Sequence, residues 1–225
     1  MKISKRFILM LSLILTALTL TACGKQELVG CDRVEALRSA AQSYESATYI
    51  ITNLTSNEIE QTFTFMYNSD DTQTYYCEGY DTNGYYAEYS NGRELFRERD
   101  GVGSAVSSGA DDYVSYTKKK PHPYSAGQLF FYINGYVSSA EETTDDEGNT
   151  LYIYQYDTER LNKDMNTNMD AFATSYAFDG EGNFVYFRQT NSGSDGSYAY
   201  EITLENINGI TSIDNPITIG SQTTE

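Results

Sequence analysis

The sequence predicts an α+β protein, with one early helix followed by a long antiparallel β-sheet that a helical insertion interrupts near its middle. Three observations carry that prediction. Residues 32–47 repeat apolar side chains at three- and four-residue steps, whereas 48–97 and 137–207 hold short runs of β-type residues, several of them alternating. Turns rich in Asn, Asp and Gly separate the runs, and two of them, Asn83-Gly84 and Asn91-Gly92, are the strongest short hairpin signal. The chain also holds 21 Tyr and no Trp, and a ring with a polar tip suits strands that are buried on one face or half exposed, and grooves that bind ligands.

The N-terminus comes first in order. Lys2, Lys5 and Arg6 precede an apolar run, Phe7–Leu20, broken only by Ser12, Thr16 and Thr19. A positive start, a short apolar stretch and small residues before a cut site mark a secretory signal. The run falls short of the ~18–20 residues that a spanning helix needs. Leu20-Thr21-Ala22-Cys23 then resembles the bacterial lipobox, whose Cys receives diacylglycerol before cleavage. That resemblance implies a signal peptide over 1–22, a lipidated tether over 23–31 carrying diacylglyceride and palmitate on Cys23, and an extracytoplasmic body anchored to the cell membrane. Gly24–Gly30 is the only flexible stretch before the first ordered element.

The helix Asp32–Ala47 presents Val34, Leu37, Ala41 and Tyr44 as one stripe, with Asp32 as N-cap and Glu35 three residues on. Strands follow at Thr48–Leu54, Glu58–Tyr67, Gln73–Tyr80, Tyr85–Tyr89 and Glu94–Arg97. In the second of these, Ile59, Phe63, Phe65 and Tyr67 share one side. Asp100–Gly127 holds Gly101, Gly103, Gly109, Pro121 and Pro123 and reads as a long binding loop or lid. Ser125–Tyr136 reads as a helix capped by Ser125, although Leu129–Ile133 also fits a strand. Hairpins return with Val137–Thr143 and Leu151–Tyr156, then a helical turn or two at Thr158–Met165, then Ala171–Phe178, Asn183–Gln189 and Tyr198–Ile207. On the last strand Tyr198, Tyr200, Ile202 and Leu204 face one way and Glu201, Thr203 and Glu205 the other. One domain over 32–216 and a polar tail over 217–225 complete the plan, with no fixed-length repeat.

Charge and cysteine usage narrow the function. Fifteen Lys and Arg stand against 32 Asp and Glu, a net charge of −17, and cleavage of the signal makes the body more acidic still. Such a surface repels nucleic acid, which is not an expected partner. Of the 3 Cys, Cys31 and Cys77 remain after lipidation, an even pair in an exported chain that either forms a disulfide or stays as two thiols. No C-x-x-C motif is present.

Catalytic chemistry finds little support. His122, the single His, lies between Pro121 and Pro123 beside Lys118–Lys120, with no orienting acid nearby in sequence. Asp145, Glu147 and Asn149 have the alternate spacing of a calcium loop, but Thr150 and Tyr156 stand where Gly and Glu are required. Asp179, Glu181 and Asn183 fail similarly, and both segments read as hairpin turns. Glu141 and Glu142 are neighbours on a strand and point to opposite faces, which speaks against a shared site. Lys118–Lys120 reads as a solvated loop or as a contact for an acidic partner or the lipid surface. No enzyme activity, cofactor or metal is expected.

The order of elements resembles the half-barrel family of bacterial lipoprotein carriers and lipid-binding lipoproteins, LolA-like and LppX-like. The resemblance rests on the helix Asp32–Ala47, the meander Glu58–Arg97 and the hairpins Tyr176–Ile207. Tyr176–Phe184 resembles the family's strand, D-x-x-G turn and strand, and Asn215-Pro216 the end of its last strand. The resemblance implies a curved antiparallel β-sheet, a half-barrel, wrapped around the N-terminal helix and a central helical insertion, with an apolar mouth. It also implies a non-enzymatic protein that binds a hydrophobic or amphipathic small molecule in the concavity. Candidate lining or contact residues are Phe63, Phe65, Tyr67, Leu129, Tyr132, Ile133, Tyr198 and Tyr200. Tyrosines where aliphatic lining is expected leave a peptide, glycan or protein ligand open. The alternative is an interaction module that contacts an envelope protein through Tyr-rich strands or the 100–127 loop.

Overall fold

The computed structural model describes residues 28–70, 72–107, 132–194 and 196–219. The signal segment, Cys23, Lys118–Lys120, His122, Leu129 and the expected start of the insertion helix at Ser125 lie outside them. The described chain opens with α1 (Cys31–Ala41) and then lays down β1 (Ser46–Asn53), β2 (Glu58–Tyr67), β3 (Gln73–Asp81), β4 (Gly84–Ser90), β5 (Leu95–Arg99) and β6 (Val102–Val106). After a single 3-10 turn at Asn134–Tyr136 come β7 (Val137–Thr144), β8 (Thr150–Tyr156), α2 (Thr158–Met165), β9 (Met169–Phe178), β10 (Phe184–Gly193) and β11 (Gly196–Glu205).

All eleven described strands form one sheet in the order β6-β5-β4-β3-β2-β1-β11-β10-β9-β8-β7. Every neighbouring pair is antiparallel. Two meanders are thus fused where the first strand meets the last, with Ile51 opposite Ile202. The sheet is open and curved, a half-barrel. The chain passes from one edge strand to the other between Val106 and Val137. Register shifts between Ile51 and Thr52, Val137 and Ser139, Phe184 and Tyr186, and Ser192 and Gly193 add local twist, as β-bulges do.

The period-two pattern turns one face of this sheet inward. Tyr49, Phe63, Tyr75, Tyr154, Tyr176, Phe187 and Ile202 are all at most 1% exposed and belong to one core. Val34, Leu37 and Ala41 of α1 and Leu161 of α2 pack into the same core, so both helices cover that face. Tyr156 and Phe172 pack edge to face at 4.9 Å and Tyr132 and Tyr154 at 5.0 Å, the arrangement that ring quadrupoles favour. A smaller core lies on the opposite face, where Ile213 and Ile217 pack with Ala87, Tyr89 and Phe96.

Several expectations need correction. The first helix ends at Ala41 instead of Ala47, because the Ser43 hydroxyl donates back to Ala40 O at 2.7 Å and Ala47 is required in the core, paired with Phe65. Its N-cap is Gly30 in the left-handed region, φ 70°, with no side-chain bond; Asp32 sits in the first turn, where its charge suits the helix dipole. A side chain at residue 30 would run into the Tyr152 ring. Tyr132 and Ile133 precede a 3-10 turn and do not end an α-helix, and Ile133 is extended with φ −128° and ψ 95°. β6 falls within the expected loop 100–127. Its Gly103 looks like a loop signal but lets the Thr218 backbone approach, in a parallel bridge to Ile219. Ile217 is 6% exposed, so the packed body continues past residue 216, and Leu28 at 7% shows that it begins before residue 32.

Candidate ligand-binding site

Strand register decides which side chains share the inner face. Residues directly opposite in an antiparallel pair point the same way. Phe63 opposes Tyr49 and Cys77, and Phe65 opposes Ala47 and Tyr75. Beyond β3 the inner face changes character: Cys77 opposes Glu88, Glu88 opposes Arg97, and Arg97 opposes Ser104. The inner surface therefore has an aromatic region along β1, β2 and β8–β11 and a charged region on β4–β6.

The expected lining residues that are described lie outside the charged region and differ in burial. Phe63 and Phe65 stack on one another at 5.9 Å, Phe65 also stacks on Tyr49, and at 1% and 6% exposure both are buried in the core. Tyr67 is half-buried against Phe65 at 5.4 Å. Tyr132 is buried against Tyr154 and Tyr176, and Ile133 is half-buried. Tyr200 is half-buried beside Phe187, whereas Tyr198 is exposed and its hydroxyl donates to Glu60 Oε2. Phe63 and Phe65 thus pack against neighbouring rings within the core.

An open cleft lies in the charged region. It has a volume of about 230 Å³ and is lined by Cys77, Tyr86, Glu88, Arg97, Arg99 and Ser104 among others. Arg97 Nε donates to Glu88 Oε2 at 2.6 Å, and the Tyr75 hydroxyl donates to Glu88 Oε1 at 2.6 Å. Arg99 pairs with Asp81 at 2.8 Å and lies over the Tyr86 ring, 5.3 Å from its centroid. These partners balance the charges across the cleft floor.

The expected alternatives for Cys31 and Cys77 resolve as two free thiols and not a disulfide. Topology gives the reason. Cys31 opens α1 within electrostatic reach of Tyr132 and Tyr154, on the β8 side. Cys77 is on β3, where its Sγ accepts a bond from Gln61 Nε2 at 2.9 Å. Burial pushes the Cys77 thiol up to about 12.

The two acidic turns are hairpin turns of one construction. Asp145 Oδ1 accepts from the Glu147 and Asn149 N–H groups, and Asp179 Oδ1 from those of Glu181 and Asn183. In each turn the Asn side chain donates to the second carboxylate oxygen at 3.0 Å. The bond from the Asn149 side chain leads in holding the Asp145 carboxyl down at about 2. Gly148 and Gly182 share φ 88°, which β-carbon-bearing residues rarely adopt. Glu141 and Glu142 are both exposed on β7. Among the described residues no group of three or more His, Cys, Asp or Glu is placed to hold a metal.

Glu88, Arg97 and Arg99 were not singled out by the sequence. The available signal was alternation: Arg97 and Arg99 occupy successive inward positions of β5 behind the inward Leu95.

Comparison with solved structures finds two that resemble this chain. It is similar to LprF from Mycobacterium bovis, with 13% identity and a TM-score of 0.47 over 83% of this chain and 96% of that one. It is also similar to the lipoprotein LppX from Mycobacterium tuberculosis, with 12% identity and a TM-score of 0.44 over 81% of this chain and 98% of that one. No protein-family model matches the sequence, and no curated protein matches it.

Proposed function

We propose that the chain is a non-enzymatic extracytoplasmic lipoprotein, anchored by diacylglycerol on Cys23, that binds an amphipathic ligand on the inner face of its half-barrel. The observation that carries this reading is the juxtaposition on one face of a sheet: a closely packed aromatic region beside an open cleft holding Glu88, Arg97 and Arg99. Apolar ligand atoms gain from leaving water against aromatic rings, and a polar head gains from fixed charged partners. A purely apolar ligand has no use for the second feature.

The anchor constrains where binding occurs. Leu28 already belongs to the core, so five residue steps separate Cys23 from the packed body. That span is about 18 Å at full extension, which holds the inner face near the lipid surface. No helix among the described residues is long and apolar enough to cross a membrane. A ligand taken from or given to the membrane fits such a short leash better than a ligand ferried across an aqueous gap.

Two measurements test the proposal. Cells fed labelled palmitate are expected to label the wild-type chain, and Cys23→Ala is expected to lose both the label and membrane association. An unlabelled wild type, or a variant still held at the membrane, removes the anchor. Native mass spectrometry of the gently extracted protein is expected to show a co-purified amphiphile. A ligand-free protein that shifts no lipophilic dye removes the binding function.

A further inference from the structure

The arginines of this acidic chain are not equivalent. Arg93, Arg97, Arg99, Arg160 and Arg188 each face a carboxylate within 4 Å, at Asp70, Glu88, Asp81, Asp164 and Glu201 in turn. Arg33 is exposed at the surface of α1. Arg38 is half-buried and has no carboxylate partner among the described residues. It sits four residues after Val34, on the helix side that carries Val34, Leu37 and Ala41 into the core.

Its surroundings sharpen the anomaly. Arg38 Nη1 donates to the main-chain oxygen of Tyr132 at 3.0 Å, and the guanidinium carbon lies 5.9 Å from the Tyr132 ring centroid. The Nε–H of Arg38 is buried with no acceptor, and the hydroxyl of Tyr132, a residue only 3% exposed, is buried with none either. The same guanidinium is within electrostatic reach of the Tyr156 and Tyr176 hydroxyls. Leaving a buried donor unpaired is costly, and more so when it belongs to a charged group. Two such donors on adjacent side chains, one of them cationic, ask for the same thing: an oxygen acceptor bearing negative charge. A charge-assisted bond to carboxylate or phosphate is the strongest way to satisfy them.

We propose that Arg38 and Tyr132 form an anion-recognition site beneath α1 that takes the acidic head of an amphiphile, a carboxylate or phosphate oxygen accepting from Arg38 Nε–H and the Tyr132 hydroxyl. The inference rests on ligand binding at the inner face as proposed above, but places the acidic head at Arg38 and Tyr132 instead of in the Glu88–Arg97 cleft, and narrows the ligand class from amphipathic to anionic amphipathic. Arg38 is half-buried, so part of its side chain reaches the surface while its Nε is covered, and the rings of Tyr132, Tyr154 and Tyr176 supply the apolar side. An uncharged head of the same chain length satisfies neither the cation nor its field.

The test is displacement of cis-parinarate, a fluorescent fatty acid, from the delipidated full chain held in amphipol, where the absence of Trp keeps the background low. Oleate is expected to displace it at least about tenfold more effectively than oleyl alcohol, the factor one charge-assisted bond supplies. Arg38→Met and Tyr132→Phe are expected to reduce that preference, Arg38→Met to near unity, while Arg33→Met leaves it unchanged. Oleoyl lysophosphatidate competing better than oleate assigns the head as phosphate, and the reverse as carboxylate. Equal potency of oleate and oleyl alcohol on the wild type overturns the site and leaves ligand binding standing. Failure of both to bind overturns the site and the proposed function together. Inorganic phosphate displacing parinarate as well as oleate does overturns the amphiphile in favour of a free anion. The wild-type comparison needs no variant to fold, and Tyr132→Phe removes a single oxygen.

Discussion

Glu88 shows how one side chain organises the open part of the inner face. Its carboxylate is mostly buried and takes both the Tyr75 hydroxyl and the Arg97 Nε–H. Replacing Arg97 with Met leaves the carboxylate with one partner, and Arg97→Met is expected to destabilise the fold by about 1–2 kcal/mol, read as a lower urea midpoint at unchanged slope. Glu88→Gln keeps the shape and loses less. Cys77 next to it is buried and its thiol is held up near 12, so almost no thiolate exists at neutral pH. A disulfide reagent is therefore expected to modify Cys31 in the native protein and Cys77 only after denaturation. Equal rates for both thiols in the folded state contradict that placement.

Turns and the chain's last segment carry information at the level of elements. The β7–β8 and β9–β10 turns repeat Asp-x-Glu-Gly-Asn, and the register Thr150 opposite Phe178 sets them side by side at one end of the sheet. Each Asp acts as an acceptor for turn N–H groups, and Tyr186 adds a hydroxyl to Asp145 at 2.9 Å. Because the folded value of Asp145 lies below the ordinary carboxylate value, its contribution is present above about pH 4 and is lost as pH falls through about 2. Asp145→Asn is expected to flatten that acid limb, measured by thermal midpoints between pH 2 and 5. On the opposite face of the sheet, Ile217 seals the small core over Ala87 and Tyr89. Ile217→Ala is expected to cost about 2 kcal/mol, and Gly103→Val to break the Gly103–Ile219 bridge by collision with the Thr218 backbone. Limited proteolysis then cuts near the C-terminus in both variants but spares the wild type.

At the scale of the whole molecule, the interior is a tyrosine core. Burial holds Tyr156 and Tyr200 up at about 12 and raises Tyr49, Tyr154 and Tyr176 as well. Unfolded tyrosines ionise near pH 10. The unfolded chain therefore loses protons first, so stability is intact below pH 10 and falls as pH rises from there through about 12. Tyrosinate absorbance at 295 nm is expected to rise together with loss of far-ultraviolet structure, in one cooperative step. A gradual titration centred on pH 10 with the fold intact contradicts a buried tyrosine core.

How much of this was legible depends on the range of the forces involved. Local pattern fixed the strands: β2 is read to the residue, and β1, β3, β4, β7, β8 and α2 to within one or two residues, because period-two burial and Asn-Gly turns act within a few positions. Where local signals misled, a distant partner decided. Ser46 and Ala47 leave the helical pattern because Met66 and Phe65 pair with them, and Gly103 enters a strand because residues 218–219 cross it. Phe63 and Phe65 carry the same apolar character whether they line a mouth or fill a core. Only register and the rings brought beside them by β1 and β3 made them core. The sequence by itself determined the sheet-forming rhythm, the acidic surface and the lipobox-like start, all of which are properties of neighbours in the chain. Tertiary structure alone decided the two free thiols, the pairing of Arg97 with Glu88 and the buried Arg38 Nε–H without an acceptor, because burial and charge partnership are set by residues far away in sequence.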